Sequence, residues 1–321
     1  MGLIEIMQYR AFTLGLLLAT PTVFAAAPLL TPQELAPLLE QPQVRVIDIR
    51  DAQGFAANHI PNAVNAPYGQ WRGPANNPGD LPAQDKLVAL VQQLGLTPDT
   101  HAVVVSTGKD ATDFGASARV YWTLKSLGLK ELSIVNGGMQ AWEAAKLPLT
   151  QTATVIAPTT FAPTFDSRWL ATRDQVVQHV QKQDALLLDS RPAAFYNGET
   201  QAPAAKAAGT LPGAQHFDFN QWFTTGSSAF NQASAAQVTS KINLPAATEN
   251  KPTVAFCNTG HWAATEWFAV SEIAGQPNTK LYAGSMVDWT QAPQALPLEN
   301  APSRGTQLAR AVQGWFNNLV D

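Results

Sequence analysis

The sequence predicts an α/β protein in which one folding unit is used twice. Apolar runs such as VRVIDI from Val44 and ALLLD from Ala185 lack polar alternation, as strands buried on both faces of a parallel sheet require. Segments with apolar residues at helical spacing lie between such runs, and strands alternating with helices build α/β units. Short segments also recur in the same order along the chain. VIDIRDAQGF from Val46 returns as LLDSRPAAFY from Leu187, and HIPNAVNAP from His59 as TLPGAQHFD from Thr210. VVVSTGKD from Val103 returns as VAFCNTGH from Val254, and NGGMQAW from Asn136 as AGSMVDW from Ala283. Matches in register over copies of about 120–130 residues indicate a duplicated domain, not a solenoid of short repeats.

At the N-terminus, Arg10 supplies a positive charge, AFTLGLLLAT an apolar stretch and VFAAA small residues suited to cleavage. Residues 1–27 therefore read as a signal peptide, with Met7 an alternative start and periplasmic or secreted location the expectation. A membrane anchor is the competing reading, disfavoured because the apolar stretch is short. The first domain is assigned to residues 28–150, with QDKLVALVQQLG as a helix that Gly95 closes. TQTATVIAPTTFAPTFDSR, rich in Thr, Ala and Pro, marks a linker at 151–168, and the second domain covers 169–300 with TRDQVVQHVQK as an early helix. A tail at 301–321 puts Leu308, Val312, Trp315 and Leu319 on one helical face, suited to packing against the body.

Composition excludes several classes. The net charge of −4 with no basic block gives no electrostatic basis for nucleic-acid binding. Outside the leader nothing is long enough to span a bilayer, so no stable membrane association is expected after cleavage. Five His and one Cys without ligand spacing make a zinc site improbable, and no cofactor is expected. NGGMQAW lacks the spacing and the Lys of a phosphate-binding loop and reads as a turn opening a helix. Oligomeric state is not encoded in any pattern here, and a monomer is plausible.

The one cysteine, Cys257, stands where a strand-like run passes into a helix-like pattern, within FCNTGHWAATEW. A thiol there can be stabilised as thiolate by loop amides and by the positive end of the helix, and the thiolate is the nucleophilic form. Gly260 permits the curvature such a loop needs. The competing reading is a buried structural cysteine. No second cysteine exists, so an intramolecular disulfide is excluded.

The order of these elements, DxR after an early strand, HIPNAVN or TLPGAQH, a Cys loop and NGGMQAW, all duplicated, resembles the tandem rhodanese family of sulfurtransferases over roughly Leu30 to Glu299. The resemblance implies two tandem rhodanese-like domains, each a central, mainly parallel sheet flanked by helices. It implies that Cys257 takes sulfane sulfur from thiosulfate as a persulfide and passes it to a thiophilic acceptor, cyanide or a thiol. The partners are thus a small anionic sulfur donor and that acceptor. Ser106 stands where the second copy has Cys257, so the first copy is expected to be inactive and to wall the site. Backbone N–H groups from Asn258 through Ala263 would stabilise the thiolate and persulfide.

Arg191 matches the family's donor-binding arginine; its other reading is an ion pair with Asp189 or Glu266, and Arg50 occupies the same place in the first copy. Asn258, Thr259, Gly260, His261 and Trp262 are the remaining substrate-binding candidates. The loop departs from both common patterns. Thiosulfate-type members often carry basic residues where Asn258 and Thr259 stand, and mercaptopyruvate-type members have a second arginine near the place of Phe195. His261, ordinarily titrating near pH ~6.5, or Lys206 is a candidate source of added positive charge. Trp262 either shapes the pocket mouth or packs between domains. A 3-mercaptopyruvate sulfurtransferase, a persulfide carrier or a rhodanese-like binding module are the alternatives. A thiol redox sensor is a further one. A cysteine phosphatase is disfavoured, because Ala263 stands where its phosphate-binding arginine is required.

Overall fold

The computed structural model describes residues 26–246, 250–303 and 305. The leader, apart from its last residues, and the candidate tail face with Leu308, Val312, Trp315 and Leu319 lie outside the described residues.

Two parallel sheets form, one per copy. The first contains β1 (Leu29–Leu30), β2 (Val44–Asp48), β3 (Val64–Asn65), β4 (His101–Val105) and β5 (Glu131–Val135), in the order β1-β5-β4-β2-β3. The second contains β6 (Leu186–Asp189), β7 (Gln215–His216), β8 (Thr253–Phe256) and β9 (Thr279–Leu281), in the order β7-β6-β8-β9. The expected helices are present at Gln84–Gln93, where Gly95 follows with φ +69°, and at Arg173–Lys182, where Thr172 and Gln175 form a capping box. Residues 151–166 carry no regular element.

Register explains why the repeated motifs meet. Asp48 of β2 lies opposite Val105 of β4, immediately before Ser106. Asp189 of β6 lies opposite Phe256 of β8, immediately before Cys257. A parallel sheet gathers its loops at the carboxyl ends of the strands, so each DxR segment lies beside its copy's Cys or Ser loop. The later motif closes each loop in the same way. Met139 and Gln140 donate their amides to Ser106 and Thr107 carbonyls, as Met286 and Val287 do to those of Cys257 and Asn258.

The two copies share one core. A continuous apolar cluster runs from Leu29, Val104 and Trp122 through Phe114 to Trp267, Phe268 and Cys257. Its centre is the Ala111–Ser126 helix packed on the Trp262–Phe268 helix. Tyr121 meets Phe268 edge to face at 5.2 Å between ring centroids, and its hydroxyl donates to Glu272 Oε2 at 2.9 Å.

Candidate active site

Cys257 immediately follows β8 and is 1% exposed. The loop then turns through Asn258, Thr259, Gly260 and His261 into the Trp262–Phe268 helix. Gly260 has φ +63°, and a Cβ there would lie 2.4 Å from the Ala283 carbonyl oxygen and 2.6 Å from Arg119 Nη1. Only glycine fits both the dihedral and the space.

The amides of Asn258, Thr259, His261, Trp262 and Ala263 find no acceptor among the described residues. Gly260 differs from the sequence expectation. Its amide, like that of Cys257, donates to Ser285 Oγ, at 3.1 and 3.0 Å, and Ser285 Oγ donates to the Tyr282 carbonyl at 2.7 Å. Ser285 is therefore the post on which the loop is hung, held with φ +53° where the first copy has Gly138. This serine was not singled out in the sequence, although the pairing of NGGMQAW with AGSMVDW displays it in a glycine's place.

Arg191 is 2% exposed, and its guanidinium is largely engaged. Nε donates to Asp189 Oδ1 at 2.8 Å, and Nη2 donates both to Asp189 Oδ2 and to the Gly209 carbonyl. Nη1 reaches Asn258 Oδ1 at 3.4 Å. Asp189 Oδ2 also accepts from Thr210 Oγ1 at 2.7 Å. Of the two sequence readings of Arg191, this geometry is the ion pair. Arg50 forms the same pair with Asp48 in the copy that has no thiol, so the motif serves the fold in both.

Both ring nitrogens of His261 are engaged by uncharged groups. Its Nε2 lies 2.7 Å from the Thr112 carbonyl, which can only accept, so this nitrogen carries the proton. Its Nδ1 lies 2.8 Å from Tyr68 Oη and accepts from it. Desolvation, reinforced by the Arg72 charge, lowers the imidazole to about 4, and the ring is neutral near pH 7. Trp262 takes the second reading given above and packs at the domain seam. It stacks on Phe219 at 5.2 Å between ring centroids, meets Phe195 edgewise at 5.9 Å, and donates its indole N–H to Thr112 Oγ1 across the domain seam. Lys206 is exposed, and its backbone amide bonds Thr290 Oγ1; no contact joins it to the Cys257 loop among the described residues.

The first copy contributes groups that sequence reasoning missed. Arg72 Nη2 donates to the Thr259 carbonyl at 2.8 Å. Arg119 Nη1 and Nη2 donate to the carbonyls of Gly260 and Gly79 at 3.1 and 2.8 Å. These residues lie more than a hundred positions from the loop they touch, and no local pattern marks them.

In the first copy two of the loop amides are occupied. Asp113 sends its carboxylate back to accept from the amides of Gly108 and Lys109. Ser106 borders a cavity of about 290 Å³ that Tyr68 and His261 also line. Among the described residues no cluster of three or more His, Cys, Asp or Glu suited to a metal occurs.

Parallel sheets repeated in tandem, each presenting a short loop between strand and helix at the same edge, define an α/β protein with a thiol at an amide-lined turn. The chain belongs to the Rhodanese-like domain family, which it matches over residues 31–145 and again over 172–292. It is 31% identical over 281 residues to a thiosulfate sulfurtransferase of Pseudomonas aeruginosa, covering 87% of this chain and 99% of that one. It is 30% identical over 290 residues to a probable 3-mercaptopyruvate sulfurtransferase of the same organism, covering 84% and 97%. Its fold is similar to the crystal structure of SseA from Escherichia coli, with a TM-score of 0.69 at 23% identity over 81% of this chain and 99% of that one.

Proposed function

We propose that this protein is a sulfurtransferase that moves sulfane sulfur from thiosulfate to a thiophilic acceptor through a persulfide on Cys257. The observation that carries the reading is the free thiol at the head of a loop whose amides from Asn258, Thr259, His261, Trp262 and Ala263 have no acceptor among the described residues. Family membership and the sulfurtransferase relatives over nearly their whole length support it.

In the first half-reaction the Cys257 thiolate attacks the outer sulfur of thiosulfate. The sulfur–sulfur bond of the donor breaks, and its electron pair leaves on sulfite. In the second, cyanide or a thiol attacks the terminal persulfide sulfur and the Cys257 thiolate is released. Splitting one transfer into two displacements is the logic of covalent catalysis. Loop N–H groups stabilise both sulfur anions, and burial strengthens these interactions.

A compact inorganic donor suits a thiol that is 1% exposed. Phe195 also stands near the place of the second arginine of mercaptopyruvate-type members, and it lies against Arg191 at 6.0 Å. The 3-mercaptopyruvate reading is kept in view by the relative at 30% identity. The test is cold cyanolysis. Protein incubated with thiosulfate and freed of excess donor is expected to release about one equivalent of thiocyanate per chain, and Cys257→Ser none. No thiocyanate from wild type, or equal release from the variant, would sink the reading. Loading by 3-mercaptopyruvate well above that by thiosulfate would reassign the donor.

Export is part of the same proposal, supported by the leader composition of residues 1–27. Expression of the full chain in a Gram-negative host is expected to place a shortened protein in the periplasmic fraction. A full-length protein confined to the cytosol would refute it.

A further inference from the structure

The seam beside the Cys257 loop holds positive charge that no ion pair among the described residues neutralises. Arg72 lies over the Tyr68 ring at 5.3 Å from its centroid and gives Nη2 to Thr259. Its Nη1 is buried and has no acceptor. Arg119 is 0% exposed and is held by the carbonyls of Gly260 and Gly79, with its Nε buried and unpartnered. Neither arginine forms a salt bridge among the described residues. Carbonyl oxygens satisfy N–H groups but do not cancel a charge, and an uncompensated buried cation is costly.

The electrostatics agree with the geometry. Burial first, and then the like charge of Arg72, pull Arg119 down to about 9. Tyr68, Cys257 and Asp80 oppose that shift, so Arg119 lies close enough to the thiol to interact with it. Asp80 is a poor counter-ion, because burial and the neighbouring Asp288 charge raise its own carboxyl. Arg191 is already neutralised by Asp189. An arginine with a free, buried N–H beside the nucleophile's loop, and with no counter-ion, is a site for an anion.

We propose that Arg72, supplied by the copy without the thiol, is the donor-binding cation of this site. Its Nη1 takes an oxygen of a compact sulfur oxyanion, the sulfonate end of thiosulfate, while Arg119 fixes the loop and adds positive charge behind the sulfur. The inference rests on the sulfurtransferase reading for its substrate and names the residue that recognises it. As sulfite departs with the electron pair of the broken sulfur–sulfur bond, the negative charge growing on its oxygens faces Arg72.

Binding and turnover separate the two claims. Thiosulfate is titrated calorimetrically into the unreactive Cys257→Ser chain, alone and with Arg72→Gln or Arg72→Lys. Loss of a charge-assisted hydrogen bond predicts a dissociation constant raised about ten- to hundredfold by Arg72→Gln, with Arg72→Lys intermediate. In the chain with Cys257 intact, the KM for thiosulfate rises by a similar factor. Equal thiosulfate affinity with and without Arg72, or no binding to the chain that retains it, overturns the proposal. If Arg72→Gln does not fold, Arg72→Lys decides alone, since unchanged affinity in that variant overturns the loss of the guanidinium fork. Failure of wild type to form a persulfide refutes the sulfurtransferase reading, and the calorimetric comparison still judges Arg72 as an anion site.

Discussion

Glu266 is fully buried on the helix that leaves the Cys257 loop. Trp222 donates its indole N–H to Oε2 at 3.0 Å, and Oε1 has no partner. Desolvation raises its carboxyl from the ordinary 4.5 to about 8, so the native protein holds a proton near pH 7. An unfolded chain gives that proton up above its lower pKa, so stability falls as pH rises from about 4.5 to about 8. The loss is on the order of a few kcal/mol. Urea melts across this window are expected to show that slope in wild type and a flatter one in Glu266→Gln. An equal slope in both would exclude Glu266 as its origin. At this scale the sequence speaks unevenly. Cys257 and Gly260 were legible because a lone thiol and a turn glycine carry their chemistry in their type. The choice between the two readings of Arg191 and the neutrality of His261 were not, because a pairing and a desolvation depend on neighbours that only the fold supplies.

Among elements, the strands were the most readable, since unbroken apolar runs have few destinations other than a covered parallel sheet. One helix end was also marked, by Gly95, whereas the Thr172 capping box emerged only in the structure. What pins each loop was harder to read. In the first copy Asp113 turns back from the Ala111–Ser126 helix onto the amides of Gly108 and Lys109. In the second copy Ala264 stands at the equivalent helical position, and Ser285 bonds the amides of Cys257 and Gly260 from the opposite side. Both arrangements pin a strand–loop–helix turn, and the difference falls on one amide: that of Gly108 is held by Asp113, while that of Thr259, its equivalent, has no acceptor among the described residues. The difference turns on side-chain direction at single positions, which periodicity does not encode.

For the whole molecule, the shared core makes the two copies one cooperative unit. Phe114 and Tyr121 of the first copy pack on Phe268 of the second, and Asn136 exchanges hydrogen bonds with the backbone of Phe230 in both directions. Thermal unfolding is expected to follow a single calorimetric transition, with van't Hoff and calorimetric enthalpies in agreement. Separate transitions for the halves would refute this. The duplication was legible because repeats announce themselves in order, but the dependence of one half's loop on the other's arginines left no trace in either. The Asp113 carboxylate beside Ser106 also limits what one substitution could do. Ser106→Cys would place a thiol at the edge of a cavity, yet two amides of its loop are already held by Asp113. A working nucleophile in the first copy would therefore call for a change at Asp113 as well, so the division of labour between the halves does not hang on one residue.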